Sequence, residues 1–124
     1  MDETETLTVE FVAKGALAED WRVVLVEQGP WQGAVTDALL RIQDRLYDCV
    51  DAVLDGQLAE KLPESKGGTI TIRLDCYNVP GEEVAKFFKS FSEGIFETPD
   101  YKKARTDSVF VRDVRFELNI DAIN

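Results

Sequence analysis

Residues 34–56 read AVTDALLRIQDRLYDCVDAVLDG, and their periodicity decides the fold. Val35, Leu39, Ile42, Leu46, Cys49, Val50 and Val53 recur at three- and four-residue steps, the spacing of one buried face of an α-helix. Asp37, Asp44, Asp48, Asp51 and Asp55 fall on the other side. The last four are separated by four, three and four positions, so they line up as one acidic ridge. Arg41 and Arg45 lie within a turn of Asp37, Asp44 and Asp48 and, where the ridge is read as a solvated face, can form weak surface pairs with them.

On the N-terminal side of this helix, Leu7, Val9, Phe11 and Ala13 alternate with Thr8, Glu10 and Val12, the period of a strand with one buried face; residues 1–5 are expected to fray. The connector GALAED leads to WRVVLVEQ, whose continuous Val23–Val26 run predicts a strand central in the sheet or covered on both faces. So short a link favours an antiparallel pair. Gly29-Pro30 ends the second strand, and Trp31 is placed to lid the end of the core.

Beyond the helix, QLAEKL can add a turn or two before Pro63, and PESKGG has loop composition. Ile70, Ile72, Leu74 and Cys76 then alternate with Thr69, Thr71, Arg73, Asp75 and Tyr77, the clearest strand pattern in the chain. The turn NVPG opens a second helix from Glu82 to about Glu93, with an apolar stripe of Val84, Phe87, Phe88 and Phe91, extendable to Ile95, that suits packing on a sheet. Two glutamates begin it, where the helix dipole favours negative charge. ETPDYKKARTDS, residues 97–108, reads as a solvated connecting loop carrying Lys102, Lys103 and Arg105. In the last strand, read from Val109 to Ile120, Val114, Phe116, Leu118 and Ile120 share one parity while Val109 and Val111 have the other, which predicts a β-bulge or bend near Arg112 and Asp113.

The expected architecture is therefore a single α+β domain over residues 1–124, a two-layer sandwich with element order ββαβαβ. Its four-stranded sheet is expected to be mostly antiparallel, with two helices packed on one face. Thr8, Glu10, Thr71, Arg73, Arg115 and Glu117 are left on the open face of the sheet.

Composition narrows the chemistry. With 44% apolar and 31% charged residues in 124, the chain can bury a core without a disulfide or a metal. The formal charge is −10, and it is concentrated early: residues 1–66 hold 14 acidic and 6 basic side chains. Such a field repels nucleic-acid phosphates and anionic membranes, and it steers towards a basic partner. The N-terminus has no apolar targeting core and no run is long enough to span a membrane, so the expected location is cytoplasmic. Cys49 and Cys76 fall on apolar faces and are expected to be reduced core residues.

There is no histidine, which removes the usual general base of serine and cysteine hydrolases and a common ligand of mononuclear metal hydrolases. A ridge of carboxylates on one outward face cannot flank a glycoside. Asp51, Asp55 and Gly56 fit positions one, five and six of a calcium-binding EF-hand loop, but Val53 and Leu62 stand where oxygen ligands are required. No phosphate-cradling glycine pattern occurs in its required context, and no cofactor or metal is expected.

The expected function is that of a non-enzymatic acidic binding protein that neutralises a basic protein partner. A bacterial toxin-immunity protein is the setting that fits its size, charge and lack of catalytic residues. Asp44, Asp48, Asp51 and Asp55 would occlude the partner's basic cleft, with Trp31 or Tyr47 as an aromatic anchor at the rim. The alternatives are a structural or assembly protein that self-associates through the open sheet face or an edge strand, and a small-molecule binder or enzyme. The latter would have a pocket between the phenylalanine-rich helix and the sheet, lined by Arg73, Asp75 and Tyr77.

Overall fold

The computed structural model describes residues 11–14 and 20–121, with side chains over 20–120. The expected strand residues Leu7 to Glu10, the frayed N-terminus and the connector at 15–19 lie outside the described residues. The elements are β1 (Phe11–Lys14), β2 (Asp20–Gln28), α1 (Val35–Leu54), α2 (Gln57–Lys61), β3 (Gly68–Tyr77), α3 (Gly81–Gly94), α4 (Pro99–Asp107) and β4 (Val111–Asp121). Short 3-10 turns at Pro63–Ser65 and Ile95–Glu97 complete them.

The four strands lie in chain order, β1-β2-β3-β4. β1 pairs antiparallel with β2, but β2 with β3 and β3 with β4 are parallel. The α+β class stands, whereas the mostly antiparallel sheet does not. The cause lies in the connections: each helix sits between two neighbouring strands, and a chain that crosses the sheet through a helix re-enters it in the direction it left. The unbroken Val23–Val26 run belongs to this arrangement, since Val23, Val24 and Leu25 are all buried in an interior strand.

Rows of apolar side chains cross the inner face in register, Val23 beside Ile72 beside Phe116 and Leu25 beside Leu74 beside Leu118. Ile42, Leu46, Cys49, Val50 and Val53 of α1 and Val84, Phe88 and Phe91 of α3 join the same buried cluster, so both long helices cover one face. Phe116 meets Phe88, Phe91 and Phe96 with ring centroids 5.8–6.2 Å apart. The bulge predicted in β4 is present: Gly68 pairs with Val111 and Thr69 with Asp113, which leaves Arg112 as the extra residue.

Two helices supplement the expected pair. α2 is the extra turn anticipated at QLAEKL. α4 replaces the expected loop at 97–108, with Pro99 in its first turn and no buried residue. A helix that touches the core through Tyr101 alone and buries no residue shows no apolar stripe, so periodicity had no signal to offer there.

Gly29 joins the ends of β2 and β3. Its N–H donates to the Tyr77 carbonyl at 2.7 Å, and a Cβ at this position would stand 1.7 Å from the Asn78 carbonyl oxygen. Only glycine permits that approach.

Candidate functional site

The ridge of α1 is built as its spacing requires. Asp44, Asp48, Asp51 and Asp55 are all exposed along one line of the helix. Their individual surroundings differ. Asp51 accepts a hydrogen bond from the Tyr101 hydroxyl of α4 at 2.8 Å. Asp55 follows the last turn of α1 and accepts the Gln57 N–H at 3.1 Å, at the first residue of α2. Among the described residues, neither Asp44 nor Asp48 has an ion-pair or hydrogen-bond partner for its carboxylate.

The two arginines that could pair with this ridge are directed elsewhere. Arg41 Nη2 stands 2.5 Å from Glu27 Oε1, and Arg45 Nη1 stands 2.7 Å from Glu27 Oε2. Arg45 Nη1 also donates to the Val26 carbonyl at 2.9 Å. The Glu27 side chain is only 5% exposed, on the helix-covered face near the end of β2. Burying that carboxylate unpaired would be costly, which is why it attracts both cations. The surface pairs with Asp37, Asp44 and Asp48 are thus replaced by one largely buried cluster. Glu27 gave no warning in the sequence, because the alternation that places it inward ends in a charged residue.

The two proposed aromatic anchors lie on opposite flanks of the ridge. Trp31 is on the arginine side, with Arg41 Cζ 6.0 Å from the ring centroid. Its indole is partly buried against the core, as expected for a lid, and its Nε1 is buried without a hydrogen-bond partner among the described residues. Tyr47 is on the other flank, packed edge-on against Phe91 at 5.0 Å and tilted against Tyr101 at 5.6 Å. Burial and the bond to Asp51 hold the Tyr101 hydroxyl well above its usual pKa. Tyr47 also borders a shallow depression of about 270 Å³ between α1 and α3, together with Gln43, Phe87, Ser90 and Phe91. Asp51, Leu54, Asp55 and Ala104 line a second one of about 300 Å³. Tyr101 and α4, which connect the ridge to these depressions, were missed in the segment read as a loop.

The helix–sheet pocket does not form from the residues expected to line it. Arg73, Asp75 and Tyr77 project from the sheet face opposite to α3, as their parity against buried Ile72, Leu74 and Cys76 dictates. There they join a polar lattice: Arg73 Nε stands 2.6 Å from Asp75 Oδ1, and Glu117 Oε1 lies 3.0 Å from Arg22 Nε and 3.5 Å from Arg73 Nη1. The open sheet face is largely self-neutralised.

Cys49 and Cys76 are free and fully buried, and burial pushes both thiols up to about 12. Neither is a nucleophile at neutral pH. Among the described residues no three His, Cys, Asp or Glu side chains converge on a point that could hold a metal ion, and no helix is long and apolar enough to cross a membrane. What the site offers chemically is an exposed row of negatively charged hydrogen-bond acceptors along one helix.

No protein-family model, no curated protein and no solved structure matches the chain.

Proposed function

We propose that the protein is a non-enzymatic binding protein that holds or neutralises a basic protein partner through the aspartate ridge of α1. The observation that supports this most is the direction of Arg41 and Arg45. Both guanidinium groups that could have neutralised the ridge are bound to Glu27, so Asp44 and Asp48 stay uncompensated on a rigid helix. A solvated helix face has no need of such separation, since interleaved arginines ordinarily pair along the surface. Lysines and arginines of a partner would find the acceptors preoriented, which speeds association and adds charge-assisted bonds.

A toxin-immunity role in a bacterial cytoplasm suits this surface: a basic catalytic cleft is occluded by carboxylates and no chemistry is required of the inhibitor. Reduced, buried Cys49 and Cys76 support the reducing compartment. Trp31 or Tyr47 would serve as the aromatic anchor, each partly buried against the core and Tyr47 on the flank shared with Asp51 and Tyr101. The test is to replace Asp44, Asp48, Asp51 and Asp55 by Asn together. Partner binding and its salt dependence should be lost with the fold retained, and unchanged affinity would remove the ridge from the interface.

A further inference from the structure

We infer that β4 is a self-association edge, along which two copies of this chain pair antiparallel about a two-fold axis through Phe116. β4 ends the strand order, and among the described residues it pairs with β3 alone. At 11 residues it is about twice the length of an ordinary strand. Free edges of that kind are normally blunted by charged side chains, lysine above all, by proline, by a bulge or by short length. Residues 114–120, VRFELNI, contain neither proline nor lysine, and the one bulge lies outside them at Arg112.

The side chains of this edge complement one another under the two-fold. With Phe116 on the axis, Arg115 faces Glu117 of the partner subunit, and the reciprocal pair forms on the other side of the axis. Val114 faces Leu118 of the partner subunit on the inner side. Arg115, 67% exposed with Nε 3.4 Å from Asp113 Oδ2, and Glu117, 41% exposed and shared by Arg22 and Arg73, each keep surface turned to solvent for a contact across the axis. The neighbouring registers are disfavoured. Centring on residue 115 puts arginine on arginine, and centring on 117 puts glutamate on glutamate, arrangements that cost energy directly across a sheet. The inner side of the edge also has apolar surface to cover. Phe96, Phe116, Leu118 and Ile120 pack against the core yet are only partly buried, with the rings of Phe96 and Phe116 6.1 Å apart. Continuing the sheet would cover them, and an isologous pair closes without propagating into a fibre.

This edge is separate from the α1 ridge, so the dimer and the basic partner can be tested independently. The experiment is sedimentation equilibrium of the full chain from the micromolar to the millimolar range, alongside Arg115→Glu. This substitution lies at an exposed position and sets glutamate against Glu117 of the partner subunit. The expected result is a wild-type mass of two chains and a dimer dissociation constant raised at least about tenfold by Arg115→Glu, with the circular dichroism of the folded chain unchanged. A second measurement fixes the register. A nitroxide on Arg112→Cys, eight positions of combined offset from its counterpart, should give a spin–spin distance of roughly 27 Å at 3.3 Å per residue. A wild-type monomer throughout the range, a dimer indifferent to Arg115→Glu, or an absent or widely different spin–spin distance would overturn the inference.

Discussion

Arg45 reaches from α1 to the strand beneath it and places Nη1 2.7 Å from Oε2 of Glu27. That contact links packing to surface charge. A carboxylate buried at the end of β2 holds a cation that the helix sequence places beside aspartates, and the aspartates are left to face solvent.

The cluster should therefore govern stability unequally. Glu27→Gln leaves Arg45, 20% exposed, without its buried counter-ion and should cost about 3 kcal/mol. Arg41, with a side chain 52% exposed, should cost no more than about 1 kcal/mol on substitution by Ala. Urea denaturation of both variants measures the difference, and equal losses would show that Glu27 is not anchored chiefly through Arg45.

At the junction of β2 and β3, Gly29→Ala brings a methyl group to 1.7 Å from the Asn78 carbonyl oxygen. Backbone must move to admit it, so a loss of about 3 kcal/mol is expected. Gly33, at φ +84° with nothing within 4 Å of a Cβ, should lose only about 1 kcal/mol as Ala, from strain alone. Thermal unfolding of the pair separates close approach from backbone conformation.

The helix α1 and the register of the inner face are legible in the sequence because each repeats one period over many residues. The bulge at Arg112 is legible for the same reason, as a break in that period. Strand direction was open to a different inference. Strands alternating with helices, from β2 through α1, β3 and α3 to β4, specify parallel crossovers, and the short link before β2 carried weight only for β1. α4 could not be seen, since none of its residues is buried. The acidic ridge was visible as a pattern, but the direction of Arg41 and Arg45 was not, because their partner is distant in sequence and apolar alternation does not mark Glu27.

Alkaline pH should destabilise the protein through its thiols. Cys49 and Cys76 have an ordinary value of 9.0, and burial raises both to about 12 in the folded state. Above pH 9 the unfolded chain therefore releases protons that the folded chain retains, so unfolding becomes progressively easier until about pH 12. Stability is fully present below pH 9 as far as these two groups are concerned. Melting temperatures across this range should fall for the wild type and fall less for Cys49→Ala. In the native state at pH 8 neither thiol should react with a disulfide reagent at an appreciable rate, and both should react in denaturant.

Tyr101→Phe removes the hydroxyl that Asp51 accepts at 2.8 Å while keeping the ring against Tyr47. A loss of about 1 kcal/mol or less is expected, given the exposure of the bond. Amide hydrogen exchange should quicken in α4 and stay unchanged in α1. Equal quickening in both would contradict the assignment of this bond to holding α4 on the ridge.

The most direct test of the ridge is affinity capture from the native cell extract with the wild type and the Asp44→Asn, Asp48→Asn, Asp51→Asn, Asp55→Asn variant side by side, both shown to be folded. Loading is at low salt, with elution by a salt gradient and quantification by mass spectrometry. One basic protein should be retained by the wild type, leave as salt rises, and be absent from the variant. Equal retention of the same protein by both, or retention of no basic protein by the wild type, would contradict the account.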